Sequence, residues 1–194
     1  MVLQQFIDRY KPDGAARVGT IESSAYADRL PSCLLELWDR HGFGFYGDGL
    51  LQIIHPDHYL RNLWGWINQE NNHDRLPIAL SSFGTIFYYR KLGGSDHDIA
   101  YINPHTSQSG VLSWDVVSFF NDILPMDDVR EQILDISMHE RARTMLGPLR
   151  ADEMYAFAPA LRLGGSPSPK HIITCDAKVH LDILLQLALG MSPE

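Results

Sequence analysis

The sequence predicts an α+β protein of two lobes, with a mostly antiparallel sheet flanked by helices. Three observations lead there. From residue 76 to residue 103, short apolar and aromatic runs are separated by turns rich in Gly, Asn and Asp, the pattern of an antiparallel meander. Beyond Ser113 the apolar residues recur mainly at helical spacing. Between these regions Pro104–Gly110 (PHTSQSG) is polar and turn-rich. It reads as a boundary between a lobe of residues 1–103 and a second lobe, residues 113–194, packed against it.

In chain order, residues 2–10 form a short amphipathic helix ended by Lys11-Pro12-Asp13-Gly14, and a polar stretch continues to about Leu30. Pro31 suits a first helical turn, where its missing N–H costs nothing. Leu34, Leu35 and Trp38 then share one face, while Glu36, Asp39 and Arg40 point outward, and Gly42 stands where a left-handed cap is expected. Gly49–Ile54 has no helical room before Pro56 and reads as a strand. His55-Pro-Asp-His-Tyr59 opens a second helix, through roughly Asn68, that carries Trp64 and Trp66.

Strands Leu76–Ser82 and Thr85–Arg90 follow, turning at Phe83-Gly84, and after a turn at Lys91–Asp96 comes a strand over Asp98–Asn103. Because neighbours in a strand face opposite sides, at least one of Phe87, Tyr88 and Tyr89 is expected to be exposed or between the lobes. Helices are expected over Ser113–Asn121, with Ser113 as N-cap, and over about Asp128–Met145, stopped by Gly147-Pro148. Met154–Ala158 and His171–Thr174 read as strands. Asp176 can cap a last helix through Leu189, which is apolar nearly all round and so expected to be buried.

One stretch raises a chemical question. Gly42-Phe-Gly-Phe-Tyr-Gly47 matches the dinucleotide fingerprint G-x-G-x-x-G. That motif has meaning only between a preceding strand and a following helix, whose N-terminus receives the pyrophosphate. Here the order is helix, glycine turn, strand, so the glycines read as a cap and a tight turn that bring Phe43, Phe45 and Tyr46 onto a core.

Nine histidines invite a metal reading, and His55-x-x-His58 with Asp57 is the best local cluster. A zinc site needs a third ligand, which nothing nominates. His139-Glu140 begins like a metalloprotease helix, but Arg143 stands where the second histidine belongs. No catalytic, cofactor-binding or metal-binding residue is therefore assigned. The two rival readings are a small metal-dependent hydrolase using His55, Asp57 and His58, and a ligand-sensing module with an aromatic pocket around Phe45, Tyr46 and Trp66.

Composition bounds the partners. In 194 residues, 24 acidic side chains against 16 basic ones give a formal net charge of -8, which argues against direct binding of nucleic acid or an anionic membrane and suits a basic partner. Cys33 and Cys175 form no C-x-x-C pair, so neither a disulfide framework nor a cysteine zinc site is expected. The N-terminal residues lack the apolar core of a signal peptide, and the expected compartment is the cytoplasm. Between Asp115 and Asp135 lie Asp115, Asp122, Asp127, Asp128, Glu131 and Asp135 against a single base, Arg130. Most such runs are solvated faces. The sharper reading is a partner-binding surface of Asp122, Asp127, Asp128, Glu131 and Asp135, with residues 128, 131 and 135 spaced to share one helix face.

Several stretches together resemble a known family. Leu30–Tyr59 (LPSCLLELWDRHGFGFYGDGLLQIIHPDHY) looks like the GAD-like domain, with its leucine-rich helix, tryptophan, GFG, glycine turn, apolar strand and HP helix start, and Phe83–Arg90 (FGTIFYYR) is similar to that domain's middle strand. Met154–Gly165 (MYAFAPALRLGG) looks like the signature of the C-terminal domain usually joined to it. Proteins of this two-part kind resemble immunity proteins encoded beside DNase effectors of bacterial type VI secretion systems. The resemblance implies a non-enzymatic antitoxin that binds and neutralises a toxin domain in the cytoplasm, as a monomer in a stoichiometric complex. Its motifs are structural glycines, prolines and aromatics, so no catalytic residue carries over.

Overall fold

The computed structural model describes residues 2–14 and 23–190. Along the chain come α1 (Gln4–Arg9), a 3-10 turn (Ser23–Tyr26), α2 (Ser32–His41), β1 (Gly44–Tyr46), β2 (Leu51–Ile53), α3 (Pro56–Ile67), β3 (Arg75–Ser81), β4 (Ile86–Gly93), β5 (Asp96–Ile102) and β6 (Ser109–Ser113). The second part holds α4 (Val116–Ser118), a π-helical turn (Phe119–Ile123), α5 (Asp127–Gln132), α6 (Ile136–Leu146), β7 (Glu153–Phe157), short 3-10 turns at Leu161–Leu163 and Pro169–His171, β8 (Ile172–Asp176) and α7 (Ala177–Ala188). The class is α+β, as the sequence predicts. Part of the polar stretch before Leu30 lies outside the described residues.

The main sheet runs β1-β2-β3-β4-β5-β6, every neighbouring pair antiparallel and every strand beside its sequence neighbour. Pro77 sits in a central strand, where it cannot donate to the ladder. A bulge between Pro77 and Ala79 accommodates it and resets the side-chain alternation. At the β1 edge, Pro12 bridges Tyr46 and the Asp13 N–H donates to the Phe45 carbonyl (2.9 Å), which covers part of an otherwise open edge.

Helices cover both faces of the sheet. Phe87, Tyr89, Ile99 and Tyr101 face one core with α1, α2 and Phe119, Phe120 and Leu124. Ile86, Tyr88, Ala100 and Ile102 face a second with α3, Met154 and Leu181. Phe87, Tyr88 and Tyr89 are consequently all buried, and they pack against residues beyond Ser113, the second of the two places expected for them. A third cluster of Phe83, Ala142, Tyr155, Phe157 and Ile172 joins α6 and the β7-β8 ribbon to the β3–β4 turn, where the Tyr155 N–H donates to the Ser82 carbonyl (2.8 Å).

One charge pair is built into the sheet. Arg90 and Asp98 are cross-strand partners in β4 and β5. The guanidinium donates to both carboxylate oxygens, Nε to Oδ1 at 2.6 Å and NH2 to Oδ2 at 2.5 Å. The Asp98 side chain is entirely buried, and its hydrogen bonds hold the Arg90 pKa above its ordinary value.

Other expectations need correction. Residues 44–46, expected to be turn, form the edge strand β1, and β6 (Ser109–Ser113) takes in the last two residues of the polar stretch Pro104–Gly110. Ser113 therefore ends a strand, and the helix cap is Asp115, whose carboxylate accepts from the Ser118 N–H (2.7 Å). The single helix expected over 128–145 is two helices. On α7, Leu181 and Leu184 are buried, but Val179 is 58% exposed and Leu189 64% exposed, so the helix is one-sided despite its composition. Its packing against α3 is close: a Cβ on Gly65 would stand 2.5 Å from Leu185 Cδ2.

The glycine loop is the cap and turn its order implies. Gly42 has φ +78° and its N–H bonds the Trp38 carbonyl, closing α2. The loop amides are spent within the protein, the Gly47 N–H on the Lys11 carbonyl (2.9 Å) and the Asp48 N–H on Asp13 Oδ1 (3.0 Å). Gly47 has φ +62°, and a Cβ there would stand 2.6 Å from Tyr10 Cδ1. Tyr10 is itself buried, its hydroxyl donating to the Leu124 carbonyl (2.9 Å). Gly47→Ala should therefore lower the unfolding free energy by about 2 kcal/mol, the sum of a left-handed backbone and a displaced ring, as read by urea denaturation.

Candidate partner interface

The acidic side chains named from the sequence lie on the π-helical turn and on α5. Apolar anchors fix the backbone there: Phe119, Phe120, Leu124 and Val129 are buried. Three long-range bonds tie the segment to α1 and its flanks, from the Phe6 N–H to Asn121 Oδ1 (3.0 Å), from Asn121 Nδ2 to the Val2 carbonyl (3.0 Å) and from the Tyr10 hydroxyl to the Leu124 carbonyl. With the inner faces so held, Asp122, Asp127, Asp128 and Glu131 point to solvent. Asp127 and Asp128 occupy the first turn of α5, where negative charge is favoured by the helix dipole. Asp128 Oδ1 accepts from the Val129 N–H (2.9 Å), and Glu131 accepts from Ser137 Oγ (3.0 Å).

Among the described residues this ridge has one ion pair, and it is weak: Arg130 to Asp127 at 3.6 Å, with the Asp127 side chain 96% exposed. Met126, large and 46% exposed, sits among these carboxylates. The result is an outward acidic ridge that carries one exposed Met, a residue type enriched at interfaces.

Asp135 departs from the sequence expectation. It adopts a left-handed conformation (φ 53°, ψ 49°) at the break between α5 and α6, so it does not continue the Asp128–Glu131 helix face. It is half-buried. Burial, and then the neighbouring Glu131 charge, raises its pKa above the ordinary carboxylate range. Its backbone carbonyl accepts from Met138 and His139, which makes it the start of α6. The ridge is thus Asp122, Asp127, Asp128 and Glu131, with Asp135 as its hinge.

The histidines considered as metal ligands serve the fold. His55 Nδ1 accepts from the Asp57 N–H (3.1 Å) as the N-cap of α3, and its ring stacks on His58 with centroids 4.7 Å apart. Burial and the adjacent His58 lower its pKa. Among the described residues no three His, Cys, Asp or Glu side chains gather in a way that could hold a metal ion. The aromatic pocket proposed around Phe45, Tyr46 and Trp66 does not form as one site: Phe45 and Tyr46 belong to β1, whereas Trp66 lies on α3 and donates to the Leu181 carbonyl (3.3 Å). Both cysteines are free.

A GAD-like domain is recognised over residues 1–103, and the chain belongs to that family. Residues 115–188, which include the ridge, match the family described as type VI secretion system immunity protein Tdi1, C-terminal. The chain is thus of the type VI secretion immunity class. No curated protein matches it. Among solved structures it is similar to Atu4351 from Agrobacterium tumefaciens, at 18% identity and a TM-score of 0.71, over 94% of this chain and 88% of that one. At that identity the likeness concerns the fold.

Proposed function

We propose that this protein is the non-enzymatic antitoxin of a type VI secretion DNase effector, binding the toxin domain stoichiometrically as a monomer in the cytoplasm. The observation that carries the reading is the outward acidic ridge within the segment that matches the Tdi1 family. A DNase domain needs basic surface to hold phosphates, and an acidic face complements it. No helix among the described residues is long and apolar enough to cross a membrane, which is compatible with this setting.

On this reading Asp122, Asp127, Asp128 and Glu131 meet the toxin's DNA-binding surface, with Met126 packed between. Rim charges of this kind mainly accelerate association. The combined Asp127→Lys, Asp128→Lys and Glu131→Lys variant should associate with the toxin domain about tenfold or more slowly at low ionic strength, and its rate should depend less on salt. Asp135 stays unchanged in this variant because it shapes the backbone. Stopped-flow association kinetics provide the test. An unchanged rate in a variant that melts normally would place the contact elsewhere.

A further inference from the structure

A cleft of about 770 Å³ opens between α1, the Gly47–Asp48 turn, α5 and α6. For a protein of net charge -8 its lining is unusual. Arg9, Arg130 and Arg143 all border it, against the carboxylates of Asp48 and Glu140. Asp48 is already paired with Arg143 at 3.1 Å, and Arg9 has no ion-pair partner among the described residues. Arg9 and Arg130 both lie against the Tyr10 hydroxyl, which brings two guanidinium groups to one wall.

The floor holds a second signal. His139 is 3% exposed and lines the cleft, yet its Nδ1 has no hydrogen-bond partner, and neither does the buried Nε of Arg130. Buried polar atoms are nearly always satisfied by protein, water or ligand. Both of these border the same cleft, where water or a bound molecule would supply the missing partners. The amides of Gly47 and Asp48 are occupied, so side chains must supply the contacts.

We infer that this cleft binds a small anionic molecule carrying a phosphate or carboxylate group, held by Arg9, Arg130 and Arg143 above His139. Guanidinium forks match the oxygens of both anions. The neutral imidazole offers a donor or an acceptor to a hydroxyl beside them. The volume exceeds that of a bare phosphate and lies in the range of small-molecule sites. The site shares α5 with the outward ridge through Arg130, which also pairs with Asp127 at 3.6 Å, and it does not require the toxin.

The full chain should be titrated calorimetrically, and its thermal unfolding followed, with inorganic phosphate and with citrate at an ionic strength fixed by chloride. At least one of the two should bind saturably and raise the melting temperature, and the comparison shows which anion is preferred. Arg9→Gln combined with Arg143→Gln should weaken binding about tenfold or more. Arg9→Glu alone, which leaves the Arg143–Asp48 pair in place, should do likewise, whereas Arg40→Gln, on α2, should not. Absence of saturable binding by either anion, or binding that persists unchanged in Arg9→Glu, would overturn the assignment.

Discussion

Between pH 6.5 and pH 4 the protein should lose much of its stability, beginning well above the pH at which ordinary carboxylates protonate. His105 and His139 are both buried, and burial lowers each pKa from 6.5 to about 4. In the unfolded chain these rings take up protons near pH 6.5, and in the folded protein only near pH 4. The unfolded state therefore binds more protons across that interval, and stability rises with pH there. The contribution is fully present above pH 6.5 and drains away as pH falls, at most on the order of 3 kcal/mol for each ring.

His55 and His180 are shifted the same way, adding to the effect. Asp13 and Asp135, whose pKa values burial raises, oppose it by binding protons earlier in the folded state. Urea denaturation at pH 7.5, 6 and 5 measures the balance. Replacing His105 by Gln should make the profile shallower, since Gln carries no titrating group while His139 still titrates. A flat profile in the unaltered protein would show that the rings are accessible to protons in the folded state.

The second large effect is expected from Arg90→Ala. It would leave the Asp98 carboxylate wholly buried within the sheet, without the two hydrogen bonds that now compensate its charge. Removing one member of such a pair costs about 3–5 kcal/mol. The reciprocal change, Asp98→Ala, should cost less, because the Arg90 side chain is 26% exposed and can turn toward water. The inequality of the two single variants, measured by thermal and denaturant unfolding, is the more specific part of the prediction. Equal losses would mean that the pair acts chiefly through packing.

The parts of the fold that were legible in the sequence are those whose signals are local. The strands beginning near Leu76 and Ile86 carry apolar runs bounded by turn residues, and the turn at Gly84 (φ +78°) sits where expected. Gly42 and Asp176 cap their helices as read. What was missed depends on partners distant in the chain. β1 is three residues between glycines, and its pairing with β2 makes it a strand. β6 is a short edge strand with polar ends, so one side needs no apolar pattern. The break at Asp135 is silent because Val129, Ile133, Leu134 and Ile136 continue a plausible helical spacing across it. The exposed side of α7 is composed of residues no different in kind from its buried side.

For the candidate site, the acidic character of residues 122–135 was legible, but the hinge role of Asp135 was not. The arginine cleft was invisible in the sequence. It draws on residues 9, 47–48, 130, 139 and 143, which no spacing rule connects.

The unbroken order of the main sheet has a consequence for the nascent chain. Each strand pairs with the one made just before it, so the sheet can close hairpin by hairpin with little loop entropy to overcome. The covering of α1 follows another schedule. Phe6 and Tyr10 find Asn121 and Leu124 only across separations of 115 and 114 residues. During synthesis the apolar side chains of α1 thus wait long for that part of their shelter. Unsheltered hydrophobic surface is where chains associate wrongly. A ribosome-bound fragment ending after β6 should accordingly present a paired sheet together with an incompletely covered amino-terminal helix, the form of this protein most in need of a chaperone.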